Sequence, residues 1–488
     1  MQSHLQRPSI LDTTLREGMQ TPNVMFQFEE RKDILISLDS ANIDYIEIGS
    51  PYASKEEQEI CNKLAELSTN ASKVVHCRAL ERDIDHAPED VDWVALYLAT
   101  SHKHLITKFS KYASPEKFVL KQVPKAIEYA KDMGFKVRYT AEDATSTDLN
   151  FLTKVILLAA EAGADSISIP DTRGIADYVQ IGELYKMVRR ILDDARFRNV
   201  MLEAHFHNDL GLALSNTLSA WFSGADILHS SINGLGERAG ITDTLQLATA
   251  LKVKYQTIIY EDVNYDLPSL YELSLRVSRY SGVPISPHWP VSGANVFTHT
   301  AGTHQKAASK DPLTYQPFSA SLVNRITKFV LGPLCGKEGV RAYLKQMGID
   351  VSKIPEELII TLRDAIKQIY FLHGASAKNL ERRVISEVLE EGGFPISWHS
   401  QEHFDSIVLV STLASSSEDS ILDDFSTIHK KCNYVKAIYE TWGSLYDYVF
   451  LIRNVPSIAE LNNIIDMIRE VEGVTKTETL IIGKEWNQ

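Results

Sequence analysis

Residues 136–172 read KVRYTAEDATSTDLNFLTKVILLAAEAGADSISIPDT. An apolar run at each end, KVRYTAE and SISIPDT, has the length and content of a strand. The segment between carries apolar residues at helical spacing and ends on the breaker Gly-Ala-Asp. This is one strand–helix–strand unit, and the same rhythm runs outward from it. Strand-type runs recur at SILDTTL (9–15), DYIEIGS (44–50), KVVHCRA (73–79) and WVALYLA (93–99), then at MLEAHFH (201–207) and ILHSSIN (227–233). Helical patterns such as EERKDILISLDSANI fill most of the intervals. Eight repeats within about 250 residues predict a TIM (β/α)8 barrel of the α/β class. A doubly wound open sheet would place a glycine-rich phosphate loop after the first strand. Here GLGERAG (234–240) follows the eighth.

Three domains are expected. The barrel occupies 1–280. A helical region over 281–395 includes KEGVRAYLKQMGI and PEELIITLRDAIKQIYFLHG and carries a polar connection, THTAGTHQKAASKDPLTYQPF. EEGGFPISWHSQEHF (390–404) reads as a linker. Segment 396–488 carries a β-α-β-β-α-β order, which is a ferredoxin-like α+β unit. The 488 residues are 44% hydrophobic and carry a net charge of −14, which argues against nucleic acid as a partner. Cys61, Cys77, Cys335 and Cys432 form no CxxC pair and read as reduced thiols. No signal core and no apolar run of membrane-spanning length is visible, so a cytoplasmic protein is expected.

Barrel chemistry sits at the C-terminal ends of the strands. Polar residues gather there: Asp12, Arg16 and Glu17 after strand 1, Arg138, Thr140 and Glu142 on strand 5, Asp171 and Thr172 after strand 6. Strand 8 leads into Glu237 and Arg238. On strand 7, Glu203, His205 and His207 alternate and so share a face. Two imidazoles aimed at the mouth, with the Glu17 carboxylate opposite, make a donor set suited to Zn, Mn or Mg. Arg16 can hold a carboxylate or stabilise oxyanion charge. An inward Arg138 needs a partner, either a bound carboxylate or Glu142.

LDTTLREGMQ (11–20), HFHNDLG (205–211), SINGLGERAG (231–240) and FTHTAGTHQKA (297–307) occur in that order. With these motifs, residues 8–350 resemble the DRE-TIM metallolyases. More narrowly they resemble the acyl-CoA/2-oxo acid condensing enzymes: homocitrate, 2-isopropylmalate, citramalate and Re-citrate synthases. The resemblance implies a metal-dependent Claisen-type condensation of acetyl-CoA with a 2-oxo acid, then thioester hydrolysis. It implies a divalent metal on Glu17, His205 and His207, and a homodimer in which the helical region of one protomer covers the barrel mouth of the other. Arg16 would orient the 2-oxo acid and Thr172 would hold its carboxylate. His304 would be the general base, supported by Glu142 and Tyr315. Gln20, His76, Arg138 and Thr140 complete the implied substrate contacts.

Glu17, Ile241, IEIGSPYAS (46–54) and the spacing from His304 to Tyr315 lean toward homocitrate synthases, with 2-oxoglutarate as substrate and Arg138 on its distal carboxylate. Val74 stands where those enzymes have a substrate-binding His, and His76 shares its face. Ala239, Ser146 and Arg173 also depart from the usual residues. A lyase relative, which would need a Cys in the loop after strand 8, and a non-catalytic amino-acid sensor are the other classes. The C-terminal segment resembles Lrp/AsnC effector-binding domains, which implies an amino-acid effector or a pairing module.

Overall fold

The computed structural model describes residues 5–395, 404–412, 418–432, 434–440, 446–455, 458–471 and 474–482. Two compact units divide the chain, Met1–Val351 and Ser352–Gln488. In the first, eight parallel strands close a barrel in chain order. They are β1 (Ser9–Asp12), β2 (Tyr45–Gly49), β3 (Ser72–Arg78), β4 (Trp93–Ala99), β5 (Lys136–Glu142), β6 (Ser166–Ser168), β7 (Met201–Ala204) and β8 (Ile227–Ser230). Around them run α1 (Phe28–Ser40), α2 (Lys55–Ala65), α3 (Glu81–Ile84), α4 (His102–Lys108) and α5 (Pro115–Asp132). These are followed by α6 (Leu149–Glu161), α7 (Tyr178–Asp194), α8 (Ala213–Phe222), α9 (Thr244–Ala250) and α10 (Leu267–Ser281). The TIM barrel expected from the repeats is present.

Local chemistry sets the helix starts. Ser54, Asp148 and Asp177 each accept a backbone N–H of the first turn of α2, α6 and α7. Gly282, at φ 68°, ends α10. The outward strand positions, among them Ile46, Ile48, Val94, Leu96, Val137 and Leu202, are fully buried against the helices. Each such side chain contributes on the order of 1.5–3 kcal/mol. The inward positions are layered. Leu11, Val74, Trp93, Ala95 and Ile227, with Tyr45 and Met201 against them, form an apolar plug at the strand starts, and above it the inward residues turn polar.

Strands β1, β6, β7 and β8 end earlier than the sequence suggests, at Asp12, Ser168, Ala204 and Ser230. Side chains take over from the ladder there. The Asp12 carboxylate accepts from Thr14 N–H (2.8 Å) and Thr244 Oγ1 (2.6 Å), and Thr14 Oγ1 accepts from Ile232 N–H (2.8 Å). The chain therefore turns over the mouth at residue 13 and carries Arg16 and Glu17 with it.

Two short parallel strands follow the barrel, β9 (Thr298–His299) and β10 (Lys328–Phe329). The polar connection expected at 298–318 contains a helix, α11 (Gly302–Ala308), packed on α12 (Lys337–Gln346). Only Gln305 and Ala308 of α11 are buried, so no apolar period betrays it. The Gln305 amide donates to the carbonyls of His299 (3.0 Å) and Val330 (2.7 Å). A Cβ on Gly302 would lie 2.7 Å from Gly336 N, so close backbone contact fixes that glycine.

The second unit begins with α13 (Glu356–His373) and α14 (Glu381–Glu391), packed on each other. The 281–395 helical stretch is thus shared between the two units. The linker read at 390–404 lies mostly outside the described residues. A βαββαβ module follows: β11 (Phe404–Thr412), α15 (Glu418–Lys431), β12 (Val435–Glu440), β13 (Tyr448–Val455), α16 (Ile458–Arg469) and β14 (Val474–Ile482). Its antiparallel sheet has the order β12-β13-β11-β14, as a ferredoxin-like unit requires. Among the described residues, no helix is long and apolar enough to cross a membrane.

Candidate active site

A cavity of about 240 Å3 opens at the C-terminal end of the barrel. Arg16, Glu17, Gln20, His76, Arg138, Thr140, Glu142, Thr172, His205 and His207 all line it. Every barrel residue to which the resemblance gave a metal, substrate or catalytic role therefore reaches one cavity, whereas Asp12, Asp171, Glu203 and Arg238, also expected at the strand ends, do not line it. Nor do His304 and Tyr315. They stack on each other at 4.1 Å between ring centroids on and beyond α11, and Tyr315 is 46% exposed.

Glu17, His205 and His207 are buried and each offers one donor atom within 4.8 Å of the others. Among the described residues no other three His, Cys, Asp or Glu side chains are so placed. His207 Nδ1 is buried without a hydrogen-bond partner. Burial pushes both imidazoles below their ordinary pKa, reinforced for His205 by the neighbouring His207 ring and resisted for His207 by Glu17. Two neutral imidazoles with lone pairs and one carboxylate fit a borderline divalent cation. Glu17 is held in place by Arg16 Nη1, by Glu237 N–H (3.2 Å) and, with its amide oriented to satisfy both ends, by Gln20 at 3.3 Å. The loop after β8 that presents Glu237 is itself tied to the histidine segment. Arg238 grips the Asp209 carboxylate with two hydrogen bonds of 2.8 and 2.9 Å. Asn208 Oδ1 accepts the Ala213 N–H at the start of α8 (3.2 Å).

Arg138 is 1% exposed and corrects one expectation. Its internal partner is not Glu142. Nη2 donates to Glu47 (2.5 Å) and Nη1 to Glu203 (3.4 Å), while Nε has no partner. Glu142 instead pairs with Lys108 and lies 3.6 Å from His104. Burial works against an ionised Glu47, but Arg16 (Nε, 2.7 Å) and Arg138 together outweigh it and hold its carboxyl well below the usual range. Thr140 Oγ1 and Ser168 Oγ, on residues lining the cavity, are buried and unpartnered as well. Thr172 Oγ1 accepts the Asp143 N–H at 2.9 Å.

On the third strand Val74 belongs to the apolar plug, whereas His76 lines the cavity, stacked on Tyr97 at 4.7 Å. Tyr97 shares a 3.0 Å hydroxyl contact with Tyr52. Glu47, His229, Ser168, Tyr52 and Tyr97 were missed as site residues. For Glu47 and His229 a signal existed. Glu47 is a lone ionisable residue at an inward position between outward Ile46 and Ile48, and His229 is one next to outward Leu228; such a residue needs a partner across the barrel.

Residues 7–277 match the HMGL-like family, and residues 291–369 match the Homocitrate synthase post-HMGL domain-like family. A homocitrate synthase of Saccharolobus islandicus is 33% identical over 482 residues, 98% of this chain and 99% of that protein. One of Pyrococcus horikoshii is 38% identical over 359 residues, 73% of this chain and 94% of that protein. Among solved structures, hydroxymethylglutaryl-CoA lyase from Pseudomonas aeruginosa superposes with a TM-score of 0.50 at 19% identity, over 58% of this chain and 96% of that one. That likeness speaks for the fold alone.

Proposed function

The chain belongs to the HMGL-like family, with full-length homocitrate synthases among its relatives, and from that premise we propose that it condenses acetyl-CoA with 2-oxoglutarate to give homocitrate and CoA. The observation that carries the reading is the buried Glu17–His205–His207 triad at the barrel mouth, lining one cavity with Arg16, Arg138 and Thr172. A divalent ion on the triad (Zn, Mn or Mg) would polarise the ketone of the 2-oxo acid. Arg16 orients that ketone and offsets oxyanion charge. Thr172 holds the adjacent carboxylate, with Gln20, His76, Arg138 and Thr140 around the remainder. His304, supported by Glu142 and Tyr315, takes a proton from the acetyl methyl group. The resulting carbanion attacks the ketone carbon, and water then cleaves the thioester and frees CoA. The loop Gly234–Gly240 has no Cys, which speaks against a lyase.

His304 stands apart from the cavity of its own chain, which supports a homodimer in which each mouth is completed by the partner's α11 region. The 404–482 module resembles Lrp/AsnC effector-binding units, and the role proposed for it is binding of an amino-acid effector or pairing of chains. If it binds an effector, titration with lysine, leucine or isoleucine should shift activity or melting temperature. No shift with any of the three would leave the module a structural one. The test of the main reading is thiol release from acetyl-CoA against 2-oxoglutarate, 2-oxoisovalerate, pyruvate and oxaloacetate, with and without chelator. Release is expected with 2-oxoglutarate and is expected to stop on chelation. Turnover that ignores the chelator would defeat the metal assignment, and silence across the panel would defeat the acetyl-CoA assignment.

A further inference from the structure

We propose that Glu203 and His229 form a relay that fixes which nitrogen of His205 faces the metal. His229 is thereby a positioning residue for the site. It lies at the inward position of β8 and is 2% exposed. Its Nε2 is 2.6 Å from Glu203 Oε2, and its Nδ1 is 3.3 Å from His205 Nδ1. Glu203 also receives Ser166 Oγ–H and Arg138 Nη1.

Donor and acceptor logic then assigns every proton in the chain. Glu203 sits beside the Arg138 guanidinium, so it is a carboxylate and can only accept. An imidazole nitrogen 2.6 Å from it must carry the hydrogen. Arg138 Nη1 also comes within 3.5 Å of the same His229 nitrogen, but a bare nitrogen 2.6 Å from a carboxylate oxygen would set two acceptors against each other, so the shorter contact keeps the hydrogen on Nε2. A second proton on His229 would add a third buried cation to Arg16 and Arg138, which already neutralise Glu47 and Glu203. His229 Nδ1 is therefore a bare acceptor. His205 Nδ1 must donate to it, and His205 Nε2 is left with its lone pair free for an ion. The reversed tautomer would turn an N–H toward the ion and abolish ligation. Ring partners of this kind orient metal-bound histidines and raise their basicity. Here the orienting group is a second imidazole with a carboxylate behind it.

The inference rests on Glu17, His205 and His207 being the metal site, and the test separates the two claims. Zn2+ affinity is measured by chelator competition, and the visible spectrum of the Co2+ form is recorded, on full-length wild type, Glu17→Ala, His229→Leu and His229→Gln. Wild type that binds neither ion, or Glu17→Ala that binds as wild type does, removes the metal site itself. With that site standing, His229→Leu should weaken Zn2+ binding by about 10–100-fold and alter the Co2+ bands. His229→Gln, whose amide can donate to Glu203 and accept from His205, should recover most of the affinity. A Leu variant that binds like wild type overturns the relay. So do folded Leu and Gln variants that are equally impaired, since packing rather than hydrogen bonding would then be the cause. If neither variant folds, nitrogen-15 histidine spectra of the metal-free wild type decide. His205 protonated on Nδ1 supports the relay, and His205 protonated on Nε2 refutes it.

Discussion

Glu47 is the clearest case of a residue whose cost and use are visible together. It is fully buried in the middle of β2 and accepts from both Arg16 and Arg138. Removing one partner of a buried ion pair typically costs about 3–5 kcal/mol, because the others keep their desolvation penalty and lose its compensation. Glu47→Gln is therefore expected to lose about 3 kcal/mol or more in urea unfolding at pH 7. The pH dependence has a definite sign. The folded-state pKa lies below the ordinary 4.5, so the stabilisation is complete above 4.5 and is lost as pH falls toward the folded value. The gap between wild type and Glu47→Gln should narrow steadily below pH 4.5, and a gap that widens there would contradict the assignment. Arg138→Ala should be destabilising for the same reason. If Arg138 also receives the distal carboxylate, the apparent affinity for 2-oxoglutarate falls with it. An unchanged affinity would confine Arg138 to holding Glu47 and Glu203.

At the scale of elements, the mouth depends on loops that leave their strands early. Gly240 has φ +77°, and a Cβ there would lie 1.9 Å from Gly234 O. The backbone must move to admit it, and the left-handed conformation alone costs about 1–3 kcal/mol for a residue other than glycine. Gly240→Ala should lower the melting temperature and, by displacing Glu237 N–H from Glu17, weaken Zn2+ binding. Normal zinc affinity in the folded variant would show that the loop does not position Glu17. The strands themselves were legible because outward Ile, Val and Leu alternate with a second inward set. The period-two spacing of Glu203, His205 and His207 gave their common face, although only the two histidines reach the cavity. The partners of Arg138 were not legible, since chain order says nothing about which inward residue lies across a closed barrel. The helix α11 was also hidden, because a seven-residue helix that buries only Gln305 and Ala308 carries no apolar stripe. Its histidine was singled out by the resemblance of THTAGTHQKA to known enzymes, not by any physical pattern.

For the whole molecule, the separation of His304 from the cavity has a consequence in oligomers. If each mouth is completed by the partner, inactive Glu17→Ala and His304→Ala chains should complement. Random pairing into dimers makes half of the pairs mixed, each with one intact site, so about a quarter of wild-type activity should return. No recovery would place the base in its own chain. The central claim, metal-dependent joining of an acetyl unit to 2-oxoglutarate at Glu17, His205 and His207, is tested most directly by product mass. Full-length protein is incubated with 2-oxoglutarate and acetyl-CoA labelled with carbon-13 at both acetyl carbons. The metal-loaded wild type should yield homocitrate carrying both labels, and stripped protein and Glu17→Ala should yield none. Labelled homocitrate from the stripped protein or from Glu17→Ala, or its absence from the metal-loaded wild type, would contradict the claim.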